Sequence, residues 1–136
     1  IKQTAREIVN LKRSNKRFVL GLISDQSPSK YELHYWTTFL NEHTSVILGP
    51  EKMARLASAR VVYWQMKKVR RGQYEITFIP FPGDAKKSAD YEITEWHVRL
   101  LERQIIETPQ YWLWSHKRWK YQDLYDKNIH VSGSAV

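Results

Sequence analysis

Asp25 and Gln26 are the side chains in this sequence best placed to do chemistry. They follow directly after a mostly apolar run over residues 18–24 and precede a Ser-Pro-Ser-Lys loop. An acid at the carboxyl end of a central strand is where open α/β sheets place ligand-binding and catalytic groups. An Asp ahead of a Ser-Pro loop is also a common turn cap. Both interpretations of Asp25 stay open at this point.

Other arrangements that support catalysis are missing from the sequence. The chain has no cysteine, which excludes disulfides, thiolate nucleophiles and cysteine-based metal sites. No serine stands in a Gly-x-Ser-x-Gly setting, there is no Gly-rich phosphate loop, and the five histidines occur singly without metal-ligand spacing. We therefore expect no metal site and no bound cofactor.

His97 and Glu102 have the His-x4-acid spacing of a general base and the acid that orients it. Both residues fall in the middle of a segment whose apolar residues recur at helical spacing. Residues five apart on a regular helix lie about 140° apart around its axis, so these side chains cannot meet. We reject the pair as a catalytic dyad.

The positive charge of the chain is concentrated in three places. The net charge is +8 over 136 residues. Nucleic acid, anionic lipid headgroups and an acidic carrier protein are the partners that such charge favours, and a merely solvated basic surface is the alternative. The clusters are Lys12, Arg13, Lys16 and Arg17; Lys67, Lys68, Arg70 and Arg71; and His116, Lys117, Arg118 and Lys120.

The segment YWLWSHKRWKY, residues 111–121, interleaves aromatic and basic side chains. Indole and phenol groups with Lys and Arg suit a membrane interface. The same mixture suits single-stranded nucleic acid, where aromatic rings stack on bases. A third interpretation places Trp112 and Trp114 in the protein core.

The periodicity of the chain predicts the elements that must position these groups. Helices are expected at 2–13, from Gly49-Pro50 onward with Met53, Leu56 and Ala57 facing inward, at 91–107, and from Pro109 through the aromatic-basic segment. A buried strand is expected at 17–24, loops with short elements at 29–48, and a β-hairpin at 59–81 that turns at Arg71-Gly72 and places Val62, Trp64 and Met66 on one face.

These elements predict one α/β domain with a mixed sheet layered by helices. The chain opens without Met and already inside an amphipathic helix, so it reads as part of something longer. The domain is expected to span residues 1–125, with a flexible tail at 126–136.

Five segments together resemble the bacterial lipid A biosynthesis acyltransferases of the lauroyl/myristoyl type. They are FVLGLISDQSP, WTTFLNEHTSVILGPEKMARLA, ARVVYWQMKKVRRGQYEITF, YEITE and PQYWLWSHKRWK, which occur in the family's order over nearly the whole chain. The resemblance is to the C-terminal half of the family's domain only. It implies a partial, glycerolipid-acyltransferase-like α/β fold.

The resemblance implies transfer of a fatty acyl group to a hydroxyl of a lipid acceptor, either a lipid A precursor or a lysolipid-like molecule. The acyl donor would be a thioester of acyl carrier protein or of coenzyme A. The setting would be the cytoplasmic face of the bacterial inner membrane, with the lipid acceptor, the carrier protein and the membrane surface as partners and no nucleic acid. A basic-aromatic nucleic-acid-binding module is the alternative function.

The resemblance also assigns residues. Asp25 matches an acidic block that helps to form the acceptor pocket. The family's general base, in a His-x4-Asp/Glu motif, lies upstream of the Asp-Gln pair and is absent here, so this fragment alone is expected to be inactive. The residues expected to bind substrate are Gln26, Lys30, His116, Arg118 and Lys120.

Overall fold

Helices and strands alternate along the chain. The computed structural model describes residues 2–125. In chain order the elements are α1 (Lys2–Arg13), β1 (Trp36–Phe39), β2 (Glu42–Ser45), α2 (Gly49–Ala57), β3 (Val62–Arg70), β4 (Gln73–Pro80) and α3 (Glu92–Glu107), with single 3₁₀ turns at Lys30–Glu32, Pro109–Tyr111 and Gln122–Leu124. The predicted α/β class, the first three predicted helices and the hairpin are confirmed. The predicted tail at 126–136 lies outside the described residues.

The strands form two separate antiparallel hairpins. β1 pairs with β2 through a two-residue turn at Leu40 and Asn41, both of which have the positive φ that a type I′ turn requires. β3 pairs with β4 around Arg71 and Gly72, and Gly72 has a φ of 75° that glycine adopts without strain. Each ladder has two strands, so the described strands do not join into the single mixed sheet that the sequence predicted.

The prediction of a strand at 17–24 is wrong. This segment has no regular secondary structure, and Val19 and Ile23 are 99% and 88% exposed. An apolar run becomes a strand only where a neighbouring strand pairs with its backbone N–H and C=O groups. Within residues 2–125 the strands pair only as β1 with β2 and β3 with β4, so this run has no ladder to join.

The prediction of a last helix from Pro109 through the aromatic-basic segment is also wrong. Only Pro109–Tyr111 is helical, as a 3₁₀ turn, and Trp112 is extended. Irregular turns follow to about residue 121. The carbonyl of Arg118 accepts hydrogen bonds from the hydroxyls of Ser27 and Thr44 instead of a helical amide. Tertiary hydrogen bonds therefore override a segment whose aromatic residues are only moderate helix formers.

The main core lies between α3 and the β1–β2 hairpin. Phe39 is fully buried there and contacts the rings of Trp112 and Trp119. Trp114 is 56% exposed, so the core interpretation holds for Trp112 and not for Trp114. The buried members of this cluster are Tyr35, Phe39, Val46, Val98, Leu101 and Ile105.

A buried carboxylate joins α2 to α3. Glu51, on α2, accepts hydrogen bonds from the amides of Tyr91 and Thr94 and from the Thr94 hydroxyl at the start of α3. The two amides are backbone donors that a helix N-terminus leaves unpaired, and a carboxylate there is also favoured by the helix dipole. Of the α2 residues predicted to face inward, Met53 is buried while Leu56 is exposed, because the face of α2 turns Glu51 inward instead.

Candidate functional site at the Asp25 loop

Asp25 lies in a short irregular loop, residues 24–28, which we call the Asp25 loop. Its Oδ1 atom is buried and has no hydrogen-bond partner among the described residues. A buried carboxylate oxygen without a donor costs roughly 1–3 kcal/mol or more, so a donor brought by a ligand would be favourable at this atom. The loop therefore holds unused hydrogen-bonding capacity on an acidic group.

A second irregular segment, residues 115–119, holds this loop in place; we call it the C-terminal strap. The amide of Ser27 donates to Nε2 of His116 at 3.1 Å. The hydroxyl of Ser27 donates to the carbonyl of Arg118 at 2.7 Å. Because Nε2 of His116 accepts this hydrogen bond, the hydrogen of the neutral imidazole ring lies on Nδ1. Two segments about 90 residues apart in sequence are thus tied at Ser27.

Arg118 brings a buried cation to the site. The side chain is only 3% exposed, Nη1 donates to the carbonyl of Ser45 at 2.8 Å, and the guanidinium lies 5.3 Å from the ring centroid of Phe39. Burial lowers the pKa of Arg118 to about 10, while the Asp25 carboxylate acts to raise it. The guanidinium therefore stays charged at neutral pH and close enough to Asp25 for the two charges to interact.

His97 borders the same loop from α3. Its Nε2 lies 3.4 Å from the hydroxyl oxygen of Ser24. Burial lowers the pKa of His97 below its ordinary value of 6.5, and hydrogen bonds to the backbone at Ile93 and Ser24 oppose that shift. His97 is therefore a neutral imidazole in the folded protein at neutral pH.

The rejection of His97 and Glu102 as a dyad is confirmed. Glu102 accepts hydrogen bonds from the amide of Leu40 and from the guanidinium of Arg99, both at 2.6 Å. His97 turns instead toward Ser24. The two side chains serve different neighbours, as their angular separation on a helix requires.

Tyr63 supplies a neutral phenol near Asp25. Burial raises the pKa of Tyr63 to about 12, with the Asp25 charge adding to the shift. Its hydroxyl donates to the Gln104 side chain at 3.0 Å. Around Asp25 the site thus combines one carboxylate, one guanidinium and two neutral groups.

A family model for bacterial lipid A biosynthesis acyltransferases matches residues 2–121. The chain belongs to this acyltransferase family. Searches of curated proteins and of solved structures found no match. The family assignment rests on residues that include the Asp25 loop and the C-terminal strap. It gives no support to the alternative of a nucleic-acid-binding module.

In this acyltransferase the predicted site residues do not all come together. Asp25, His116 and Arg118 converge through the Asp25 loop and the strap. Gln26, Lys30 and Lys120 are exposed, and the ammonium of Lys120 lies over the neighbouring ring of Tyr121. The substrate-binding roles assigned to these residues stay predictions.

Sequence reasoning missed Ser27 and Tyr63, and it considered His97 only as a partner of Glu102. The alternation of the hairpin indicated that Tyr63 faces away from Trp64, but not that the charge of Asp25 acts on its hydroxyl. Ser27 stands within the quoted Ser-Pro loop, and its partners lie about 90 residues away. Contacts of that range leave no local signal.

No group of three or more His, Asp and Glu side chains suited to a metal ion occurs in residues 2–125. None of the helices in that range is long and apolar enough to cross a membrane.

Proposed function

We propose that this chain is part of an O-acyltransferase that moves a fatty acyl group from a thioester to a hydroxyl of a lipid acceptor, with Asp25 in the acceptor pocket. Family membership supports acyl transfer in lipid A biosynthesis. The observation that carries the role of Asp25 is its buried Oδ1 without a donor. A hydroxyl or amide N–H of the acceptor is the donor that this oxygen fits.

The reaction needs a base and a leaving group. The acceptor oxygen attacks the thioester carbonyl, a C–O bond forms, the C–S bond breaks, and the acceptor proton ends on the thiol that leaves. The general base of the family belongs to a His-x4-Asp/Glu motif, which we place outside residues 1–136. His97 and Glu102 are the one pair with that spacing in this sequence, and their side chains contact different residues, Ser24 and Leu40.

In this proposal Asp25 orients the acceptor rather than deprotonating it. A carboxylate accepts strong, charge-assisted hydrogen bonds, which suits the orientation of an acceptor hydroxyl. Holding the acceptor hydroxyl in line with the thioester lowers the activation free energy, because the entropy of orienting the two reactants is lost on binding and not in the reaction step. The strap supports this role because it fixes Ser27, two residues from Asp25.

The proposed setting is the cytoplasmic face of the bacterial inner membrane. The acyl donor is acyl carrier protein or coenzyme A thioester, and the exposed cations fit either an acidic carrier or lipid phosphates. The exposed cluster at Lys67, Lys68, Arg70 and Arg71 supports this part of the proposal. Arg118 is buried, so in this proposal its charge acts on Asp25 instead of on a headgroup.

An acyl-transfer assay on the enzyme that contains this chain tests the role of Asp25. Asp25→Asn keeps the shape of the side chain and removes its charge, and we expect kcat/KM to fall about 100-fold, as it does when an acceptor is misplaced. Asp123→Asn makes the same change at an exposed position and should leave turnover unaltered. Both thioesters are offered as donors.

Unaltered turnover in Asp25→Asn, with the fold intact by circular dichroism, would remove Asp25 from the acceptor pocket. Absence of acyl transfer with either thioester in the unmodified enzyme would contradict the proposed reaction itself. A preference for one thioester identifies the donor.

A further inference from the structure

Ser24 and His97 contact each other at the start of the Asp25 loop. Ser24 is the first residue of that loop, and His97 lies on α3. The hydroxyl oxygen of Ser24 lies 3.4 Å from Nε2 of the His97 ring. Both side chains belong to this chain, so the contact does not depend on what covers the surface of a longer protein. The proposed acyl transfer to lipid uses neither of them.

The ring of His97 is oriented to accept a proton from Ser24. Because Nε2 faces Ser24, the hydrogen bond to the carbonyl of Ile93, about one helical turn earlier, belongs to Nδ1. Hydrogen on Nδ1 leaves the Nε2 lone pair free for the Ser24 hydroxyl. The other tautomer would set the Nδ1 lone pair against the Ile93 carbonyl oxygen, which is repulsive. The carbonyl therefore acts as the orienting group of a nucleophile–base–orienter arrangement.

The surroundings of His97 keep its ring neutral. Burial lowers the pKa of His97 below 6.5, so the ring is free to take a proton at neutral pH. The positive charge of Arg118 acts in the same sense, and the Glu95 carboxylate opposes it. Glu95 would therefore stabilise the imidazolium that forms when His97 takes the Ser24 proton, as a carboxylate does in serine hydrolases.

Transfer of an acyl group to a serine also needs a donor for the oxygen of the tetrahedral intermediate. In α/β-hydrolase sites the backbone amide of the residue after the nucleophile is one such donor. Here that residue is Asp25, whose amide donates to no backbone carbonyl within residues 2–125. The Asp25 loop thus supplies a nucleophile and an amide donor, while α3 supplies the base.

We propose that Ser24 and His97 form a nucleophile–base pair that takes an acyl group from an activated ester or thioester onto the Ser24 oxygen. The hydroxyl oxygen attacks the acyl carbon and forms a C–O bond while its proton passes to Nε2 of His97. The bond from the acyl carbon to the leaving oxygen or sulfur breaks, and the imidazolium returns the proton to that atom. The products are acyl-Ser24 and an alcohol or a thiol. This step goes beyond the proposed function, in which the acyl group passes directly to lipid.

Acylation of the enzyme that contains this chain tests the pair. The probes are p-nitrophenyl butyrate, an activated ester, and butyryl-coenzyme A, a thioester, each offered without a lipid acceptor. Intact mass should show one added butyryl group, and peptide mass spectrometry should locate it on Ser24. Acylation by both probes assigns activated acyl groups in general as the substrate class, and acylation by one alone assigns the ester or the thioester.

Variants of the two residues test their separate roles. Ser24→Ala removes the nucleophile and should abolish acylation at this position. His97→Gln keeps a polar side chain and removes the base, and the rate of acylation should fall about 100-fold or more. Ser29→Ala removes a serine hydroxyl that donates to Glu32 and serves as the control, with unaltered acylation. Circular dichroism checks that the variants keep their fold.

A second measurement needs no probe and no variant. The nitrogen chemical shifts of the His97 ring report which nitrogen carries the hydrogen. At neutral pH we expect it on Nδ1, because Nε2 accepts from Ser24 in this proposal.

Four outcomes would overturn the proposal. They are no acylation with either probe, unaltered acylation in Ser24→Ala, an unaltered rate in His97→Gln, and hydrogen on Nε2 of His97. The acylation assay contains no lipid acceptor. Its failure would therefore leave the proposed transfer to lipid standing, and failure of the Asp25 assay would leave acylation of Ser24 unaffected.

Discussion

The C-terminal strap has an irregular backbone and a buried side chain, whereas the β3–β4 hairpin has a regular backbone and many exposed side chains. The strap has no helix or strand, yet it carries the buried Arg118 and ties the Asp25 loop by hydrogen bonds to Ser27. The hairpin is the longest ladder among the described residues, yet seven of its large apolar side chains are exposed. Regular backbone and a buried environment are thus separate properties here.

The difference shows what stabilises each region. The hairpin pairs in its own ladder the backbone groups that point between its two strands, and the groups on the outer edge of each strand have no ladder partner. The strap cannot do so, and its carbonyls are paired by side chains from distant segments. The strap is therefore tied to the site by hydrogen bonds from distant side chains, whereas the hairpin contributes Tyr63 from one side and leaves its other side exposed.

Phe39 and Phe78 allow the largest test of this contrast. Phe39 is fully buried and Phe78 is 65% exposed. Phe39→Ala should lower the free energy of unfolding by about 3–5 kcal/mol, because it removes core contacts and leaves a cavity. Phe78→Ala should change it by less than about 1 kcal/mol.

Urea denaturation followed by tryptophan fluorescence measures both effects. Phe39→Leu provides a milder variant that stays folded if Phe39→Ala does not. Equal losses at Phe39 and Phe78 would mean that the hairpin face is buried in the protein in solution, and would break the contrast.

Ser27 allows the next test, on the strap side. Ser27→Ala removes the hydroxyl that donates to the Arg118 carbonyl, and the free energy of unfolding should fall by about 1–3 kcal/mol because that carbonyl loses its closest donor. Ser29→Ala removes a hydroxyl that donates to Glu32 in an exposed hydrogen bond. This change should lower the free energy of unfolding by less than about 0.5 kcal/mol. Amide hydrogen exchange of residues 24–28 should speed up only in Ser27→Ala. Similar effects at the two serines would show that the strap does not hold the loop.

The elements that could be predicted from the sequence are those with a repeating pattern of their own. α1, α2, α3 and the β3–β4 hairpin each carry a periodicity or a turn signal, and each is present. The hairpin face at Val62, Trp64 and Met66 was also correct, because alternation fixes which side chains share a side. Nothing in that pattern says whether the side is covered.

The failures share a physical cause. The apolar run at 17–24 predicts a strand only if a partner strand exists, and the sequence does not contain that information. The segment after Pro109 has a helix start signal, but its carbonyls are taken by Ser27 and Thr44 from far along the chain. Likewise Asp25 could be singled out, while the place of Tyr63 in the site and the contact of His97 with Ser24 could not.

His116 allows a finer test of the strap. His116→Leu removes the acceptor for the Ser27 amide and should cost about 1 kcal/mol in the free energy of unfolding. His116→Gln offers a carbonyl oxygen near the place of Nε2 and should recover part of that loss. In the acyl-transfer assay, His116→Leu should lower kcat more than it raises KM, because it displaces the Asp25 loop.

Recovery by Gln distinguishes positioning from a general packing role, since Leu and Gln fill similar volumes. If Leu and Gln lowered stability and kcat equally, the bond to Ser27 would carry no weight and the strap would act by packing alone.

The smallest effect concerns pH and His97. Burial lowers the pKa of His97 below 6.5, so the unfolded chain binds its proton more readily than the folded protein does. Stability from this group is therefore fully present above 6.5 and is lost as the pH falls through the lower folded value. His97→Gln should remove that part of the pH dependence, which urea denaturation of the two proteins across the same pH series measures as a difference. Titration of the His97 ring protons by NMR gives the folded pKa directly, and a value at or above 6.5 would contradict the burial of this ring beside Ser24.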